Sequence, residues 1–158
     1  MSARKRSETL HDVPLSVSAF SSDQLAAIGF RGLEDVALRT PGLMFSQQGG
    51  AIPGRYNCAI RFRGMNVSSE MPSYQVGALF IDGVYALSGC NSLGAEDIEQ
   101  VEVIKGPQAA YFGRNTFGGA VNYITRRPRS EFDMKASADI GTEDDQEYQL
   151  SIEGPVVG

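Results

Sequence analysis

The chain has 158 residues, 42% hydrophobic and 21% charged, and a formal net charge of −5. That length suits one domain of ordinary size with an appendage, and the acidic balance argues against a nucleic-acid protein, which needs a basic face. Its 18 glycines exceed the roughly 11 expected at a usual share of about 7%, and with no collagen period they point to turns and close backbone approaches.

No window of about 20 apolar residues occurs, so no segment is suited to cross a bilayer as a helix. In chain order, the opening MSARKRSETLHDVP has basic residues with no apolar run behind them and is not an intact signal peptide. PLSVSAF (Pro14–Phe20) sets Leu15, Val17 and Ala19 against Ser16 and Ser18, the alternation of a half-buried strand. SSDQLAAIG places Ser21 and Gln24 at capping-box spacing and Gly29 just past the last turn, which predicts a short helix. RGLEDVALRTPG predicts a second, with Leu33, Val36 and Ala37 on one face and Pro41 ending it.

LMFSQQ reads as a brief strand and GGAIPGRYN as an exposed loop. AIRFRGM alternates Ile60 and Phe62 with Arg61 and Arg63, again a strand. VGALFIDGVYAL is a strand pair around Asp82-Gly83, a strong hairpin signal. Polar loops, NVSSEMPSY and SGCNSLGAED, flank it. IEQVEVIKG predicts a strand with Glu102 between Val101 and Val103, and AVNYITRRP another. Short strands, two short helices and long polar loops make a small α+β domain.

Charge then changes abruptly at RRPRSEF: residues 131–158 hold 1 of the 14 basic and 8 of the 19 acidic side chains. Such a shift marks a boundary. Beyond it, FDMKASADI sets Phe132, Met134, Ala136, Ala138 and Ile140 on one face, and EYQLSIE alternates Tyr148, Leu150 and Ile152 with polar residues. The first run matches the roughly 9–11 residues of a tilted transmembrane strand, although a soluble hairpin alternates in the same way. A lone two-stranded hairpin is barely stable.

The stretch VEVIKGPQAAYFGRNTFGG, a strand, a glycine corner, a turn or two of helix and a glycine-rich loop, has the outline of a phosphate cradle. A P-loop needs Gly-x4-Gly-Lys-Ser/Thr. Six residues separate Gly106 from Gly113 instead, and Arg114-Asn115 stand where Lys-Ser/Thr is required. Pro107 also removes an amide from the corner; its place fits the first helical position. The one His, His11, stands near the N-terminus, and no CxxC accompanies it, which leaves no zinc pattern. Glu96, Asp97, Glu99 and Glu102 form an acidic run, but Glu99 and Glu102 fall on opposite faces of one strand. No catalytic constellation and no cofactor site stands out, so the chain is not read as an enzyme. Cys58 and Cys90 are either separate buried thiols or one bridge between loops; the residues alone leave both open.

DVPLSVSAFSSDQL, LEDVALRTPGL, AIRFRGMN, LFIDGVY and above all IEQVEVIKGPQAAYFGRNTFGGAVNYITRRP, in that order, resemble the N-terminal plug domain of a TonB-dependent outer-membrane receptor. The resemblance implies an α+β fold: a small mixed sheet of four to six strands, two or three short helices and long apical loops, followed by a β-hairpin. The implied division is 1–12 as a flexible N-terminal segment, 13–128 as the plug and 129–158 as the first hairpin of an outer-membrane barrel of about 22 strands. The glycine stretch, with Asp82, Gly83, Gly106, Pro107, Gly113, Arg114, Asn115, Gly118 and Gly119, then serves structure and not phosphate.

The family's mechanism implies an active importer of a ferric siderophore or another scarce nutrient, in the outer membrane of a Gram-negative bacterium. The partners implied are the chain's own barrel, a small-molecule or chelate substrate, and TonB-ExbB-ExbD acting through a TonB box. Only Met-Ser precedes the segment where that box belongs, so it is expected to be missing. Loops Gln47–Asn57, Asn66–Gln75 and Tyr85–Gly94 become apical, offering Gln47, Gln48, Arg55, Tyr56, Asn57, Tyr74, Tyr85, Ser88 and Asn91 to a substrate. A Cys58–Cys90 bridge would stiffen that apex. Arg61, Arg63, Glu99, Glu102 and Lys105 are expected to pair with charges on the barrel wall. A fragment ending after two strands is expected to stay soluble, since it cannot satisfy its own edges in lipid. The alternative is a stand-alone periplasmic binding module on the same fold.

Overall fold

The computed structural model describes residues 16–47, 58–65, 75–86, 97–127, 131–140 and 146–155. It divides into two units, residues 1–125 and 126–158.

In the first unit, β1 (Ser16–Ser21) leads into α1 (Ser22–Ala27). Ser21 caps that helix with the full capping box: its hydroxyl accepts from the Gln24 amide, and the Gln24 side chain accepts from the Ser21 amide. Gly29, at φ 60, takes the left-handed turn that ends it. Helix α2 (Leu33–Arg39) opens where the Asp35 carboxylate accepts the amides of Arg31 and Gly32, and stops at Thr40 before Pro41. β2 (Leu43–Gln47) and β3 (Cys58–Phe62) form an antiparallel pair. β4 (Gly77–Ile81), β5 (Val84–Tyr85), β6 (Ile98–Lys105) and β7 (Gly119–Thr125) join β1 in a five-stranded sheet of order β1-β6-β7-β4-β5. Its β4–β7 pairing is parallel and the rest antiparallel, the mixed sheet the sequence implied.

Both faces of the central strands are covered, which is why they read as near-continuous apolar runs. On one face Leu79, Val101, Val103, Val121 and Tyr123 meet the helices and the β2–β3 pair through Leu25, Phe30, Leu33, Val36, Leu43, Ile60 and Phe62. On the other, Ala78, Phe80, Ile104 and Ala120 are closed by Phe112, Val17 and Tyr85.

Tyr123 lies edge-on to Phe30, ring centroids 6.2 Å apart, with its hydroxyl buried and lacking a hydrogen-bond partner. Burial, and after it the charge of Asp35, keep this phenol protonated well above its usual range. The folded chain therefore holds a proton that the unfolded chain releases above about pH 10, so the stability present at neutral pH is lost as pH rises past that value. Tyr123→Phe removes an orphaned hydroxyl and should be neutral or stabilising by up to about 1–2 kcal/mol. Urea melts from about pH 8 to about pH 11 should show a flatter alkaline decline for the variant. A parallel decline in both proteins would contradict the assignment.

The second unit is an antiparallel hairpin of β8 (Asp133–Ile140) and β9 (Gln146–Glu153). Its register pairs Met134 with Ile152, Ala136 with Leu150 and Ala138 with Tyr148. Because residues two apart share a face, these six form one apolar face, and it is open to solvent: Met134 is 59% and Tyr148 72% exposed. Phe132 extends the stripe beside Gly154, where a β-carbon would stand 3.1 Å from the Phe132 ring.

Candidate functional site

The glycine-rich stretch is a hairpin connection. Residues 106–118 join β6 to β7, its antiparallel neighbour, and the loop is closed by its own backbone. The Gly106 amide donates to Gly118 O at 2.9 Å and the Gln108 amide to Thr116 O at 2.8 Å. Tyr111, Phe112 and Gly113 donate to Gln108 O and Ala109 O within α3 (Ala109–Phe112), and Gly118 donates to Val76 O. With the Gly106 and Gln108 amides committed and Pro107 lacking one, the corner after β6 offers no row of amides to a phosphate. Pro107 stands one residue before the helix cap, Gln108, and not at the first helical position the sequence implied. The short α3 turn is closed by Gly113 at φ 84.

What the glycines admit is an aromatic ring. Gly77 and Gly119 are partners across the parallel β4–β7 ladder, and Phe62, fully buried, lies against both. A β-carbon on Gly77 would come within 2.7 Å of the Phe62 ring and of Ile60 O; one on Gly119 would come within 2.8 Å of the ring and 2.4 Å of Ile104 O. Phe62 belongs to β3, so its ring fastens the two-stranded sheet to the five-stranded one.

On the opposite face Glu102 and Asn122, 0% and 1% exposed, are cross-strand partners. Asn122 donates from Nδ2 to Glu102 Oε2 at 3.5 Å, and Gln100 Nε2 donates to Glu102 Oε1 at 3.2 Å. Asn122 Oδ1 in turn accepts the Gly83 amide at 2.9 Å. Asp82 and Gly83, at φ 50 and 78, make the turn in which both central residues are left-handed. The Asp82 carboxylate accepts the Thr125 amide at 3.0 Å and its hydroxyl at 2.6 Å. The β4–β5 turn is thus pinned to β7, the middle strand of the sheet.

Of the residues expected to meet a substrate, Gln47 is exposed at the end of β2. Tyr85 is half-buried; it packs on Phe80 at 5.6 Å between centroids, and its hydroxyl accepts from Asn115 Nδ2 at 3.1 Å. Asn115, at φ 63, thereby ties the glycine loop to the hairpin, while Arg114 is exposed. Gln48, Arg55, Tyr56, Asn57, Tyr74, Ser88, Asn91 and Cys90 lie outside the described residues. Cys58 is buried and disulfide-bonded.

Among the charges expected to face a wall, Arg63 and Glu99 are exposed, and Lys105 is half-buried with Nζ 3.5 Å from Pro41 O. Arg61 donates from Nη1 to Ser46 Oγ at 3.1 Å. Glu102 departs from the expectation: strand alternation turns it toward Asn122 on a covered face, where it holds the sheet together and cannot reach outward. Gly77 and Asn122 were not singled out from sequence. Their signals are a glycine opening QVGALF and one amide inside the apolar run AVNYI. Among the described residues, no group of three or more His, Cys, Asp or Glu could hold a metal ion.

A mixed sheet stapled by a glycine-bordered ring, followed by an amphipathic hairpin, defines a receptor plug with an appended strand pair. The TonB-dependent Receptor Plug Domain model matches residues 9–120, and the chain belongs to this family. It is 31% identical over 145 residues to the probable TonB-dependent receptor BfrD of Bordetella pertussis, across 92% of this chain and 18% of that protein. It is 30% identical over 141 residues to the catecholate siderophore receptor Fiu of Escherichia coli, across 87% of this chain and 17% of that one. Its fold matches the ferric yersiniabactin uptake receptor FyuA of Yersinia pestis at a TM-score of 0.82 and 22% identity, over 99% of this chain and 24% of that one. The chain spans less than a fifth of the length of either curated relative.

Proposed function

We propose that this chain is the gating plug of an outer-membrane active importer, and that β8 and β9 are the first strands of the barrel around it. The observation that carries the reading is the solvent-open apolar face of the β8–β9 hairpin, in a chain whose remainder belongs to the plug family. Each strand has eight residues, about 27 Å along the strand at ~3.4 Å per residue and about 20 Å along the membrane normal at a barrel strand's tilt, most of the roughly 25 Å apolar band.

On this reading a ferric siderophore or similar chelate binds between the extracellular loops and the plug apex, where Gln47, Gln48, Arg55, Tyr56, Asn57, Tyr74, Ser88 and Asn91 are the candidate contacts. The bond at Cys58 is completed by Cys90 and stiffens that apex. Arg63 and Glu99, exposed on the plug, pair with charges on the wall. TonB, drawing on the inner-membrane proton gradient, pulls a segment N-terminal to β1. Among the described strands β1 lies at an edge of the sheet and pairs with β6, so a pull there works on a strand with one ladder and not two.

The complete receptor, expressed in a Gram-negative strain lacking its own siderophore receptors, tests this through uptake of radiolabelled ferric catecholates and other ferric siderophores. Accumulation that disappears when TonB is deleted is expected. TonB-independent accumulation, or recovery of the plug free in the periplasm, would sink the reading; the second result would favour the stand-alone binding module.

A further inference from the structure

We propose that Asp82-Gly83 is a latent modification site, an Asp-Gly bond set to rearrange to isoaspartate, and that Asn122 and Thr125 of β7 hold the rearrangement off while the chain is folded. The chain has one Asp-Gly bond and no Asn-Gly bond. That bond occupies the two left-handed positions of the β4–β5 turn, at φ 50 and 78. With no side chain on Gly83, its nitrogen is the least shielded kind of backbone amide.

The rearrangement needs water and no enzyme. The Gly83 nitrogen bonds to Cγ of Asp82, and the carboxyl hydroxyl leaves with the amide proton as water, closing a five-membered succinimide. A water molecule then adds to one of the two ring carbonyls. Opening at the main-chain carbonyl of Asp82 routes the backbone through Cβ and Cγ, so the composition is unchanged and the backbone is one carbon longer.

Three residues of β7 oppose these steps. The Gly83 amide donates to Asn122 Oδ1 at 2.9 Å. Attack needs that proton removed, and an amide oxygen is too weak a base to remove it. Asn122 is 1% exposed, so water does not compete for this bond. The carboxylate of Asp82 is held at both oxygens, Oδ1 by the Thr125 amide at 3.0 Å and Oδ2 by its hydroxyl at 2.6 Å. Both bonds must break before the group can turn and lose an oxygen. The Asp82 amide donates to Tyr123 O at 2.8 Å, which fixes the main chain of the same residue.

An isoaspartate here would carry one backbone carbon too many for a two-residue turn, and its carboxylate would leave Thr125. The pairing of Phe80 with Tyr85 and of Ile81 with Val84 depends on that turn. Tyr85 packs on Phe80 and accepts from Asn115, so the damage would reach the glycine-rich loop as well. Asn122 therefore guards a covalent bond besides joining strands.

Long incubation of the full chain in warm neutral buffer tests this, with isoaspartate at residue 82 quantified by peptide mass spectrometry and by isoaspartyl methyltransferase labelling. The folded chain should accumulate it at least about tenfold more slowly than the same chain in guanidinium chloride, a factor equal to about 1.4 kcal/mol, the scale of one hydrogen bond given up before attack. Asn122→Ala, if still folded by circular dichroism, should lose most of that protection. Phe62→Ala, destabilised away from the turn, should gain only what its unfolded fraction in urea melts accounts for. If Asn122→Ala does not fold, Thr125→Val, which removes one of the carboxylate's two bonds, should isomerise at least about twofold faster than the parent. Equal rates in the folded and unfolded parent would overturn the protection. A rate for Asn122→Ala no higher than that of Phe62→Ala, or for Thr125→Val no higher than the parent's where it alone folds, would overturn the role of β7. None of these readouts involves TonB or a barrel, so failure of the importer reading leaves them intact.

Discussion

Gly119→Ala is expected to destabilise the first unit by about 3 kcal/mol or more, because overpacking against fixed neighbours is costly. The added carbon would stand 2.4 Å from Ile104 O, in the backbone of the adjacent strand, and 2.8 Å from the Phe62 ring. The strand cannot withdraw without disturbing the β6–β7 ladder, and the ring is itself fully buried. The backbone at Gly119 adds to the cost, since φ 156 is one that side chains rarely adopt. Phe62→Ala should cost about 3–5 kcal/mol by emptying the seat. The two changes share a contact, so the double variant should fall short of their sum by about 1–2 kcal/mol. Urea unfolding of the four proteins measures this directly. Additivity to within about 0.5 kcal/mol would mean that ring and glycine are not energetically coupled.

Asn122→Ala should destabilise by about 2–4 kcal/mol, from the loss of hydrogen bonds to a half-buried amide and a buried carboxylate. The Gly83 amide loses its acceptor at 2.9 Å, and Glu102 loses a donor on a face where neither residue exceeds 1% exposure. Asn122→Asp keeps the shape and replaces the donor with a second carboxylate beside Glu102. Like charges in a buried site push a proton onto one of them. The added carboxyl then has a raised folded pKa, so the variant should be least stable near neutral pH and recover as pH falls toward about 5. Thermal melts across that range decide it. A loss below about 0.5 kcal/mol for the alanine variant, or no acid recovery for the aspartate, would remove Asn122 from the sheet's main supports.

Much of the fold was legible because its signals are local. Ser21 and Gln24 make their capping box from residues three apart, and Asp82-Gly83 specifies its own turn. The order of short motifs was specific enough to imply the plug family before any geometry was known. The candidate site was less legible, because its contacts join distant parts of the chain. Phe62 meets Gly77 and Gly119 only once β3 is laid across β4 and β7. Glu102 illustrates the same limit: alternation correctly set it opposite Val101 and Val103, but whether that face is open depends on Phe80, Tyr85, Phe112 and Val17 closing over it. Pro107 lies two residues ahead of Ala109, where the helix it was expected to begin starts, a shift that local propensity does not resolve.

The importer reading stands or falls on the strands that must follow β9, because two strands cannot close a barrel. Sequencing the gene on both sides of the 158 codons is therefore the most direct test. The account predicts a frame that runs past Gly158 into about twenty further alternating strands, preceded by a signal peptide and a short apolar TonB box. A stop codon directly after Gly158 would contradict it and leave a binding module with no pore to gate.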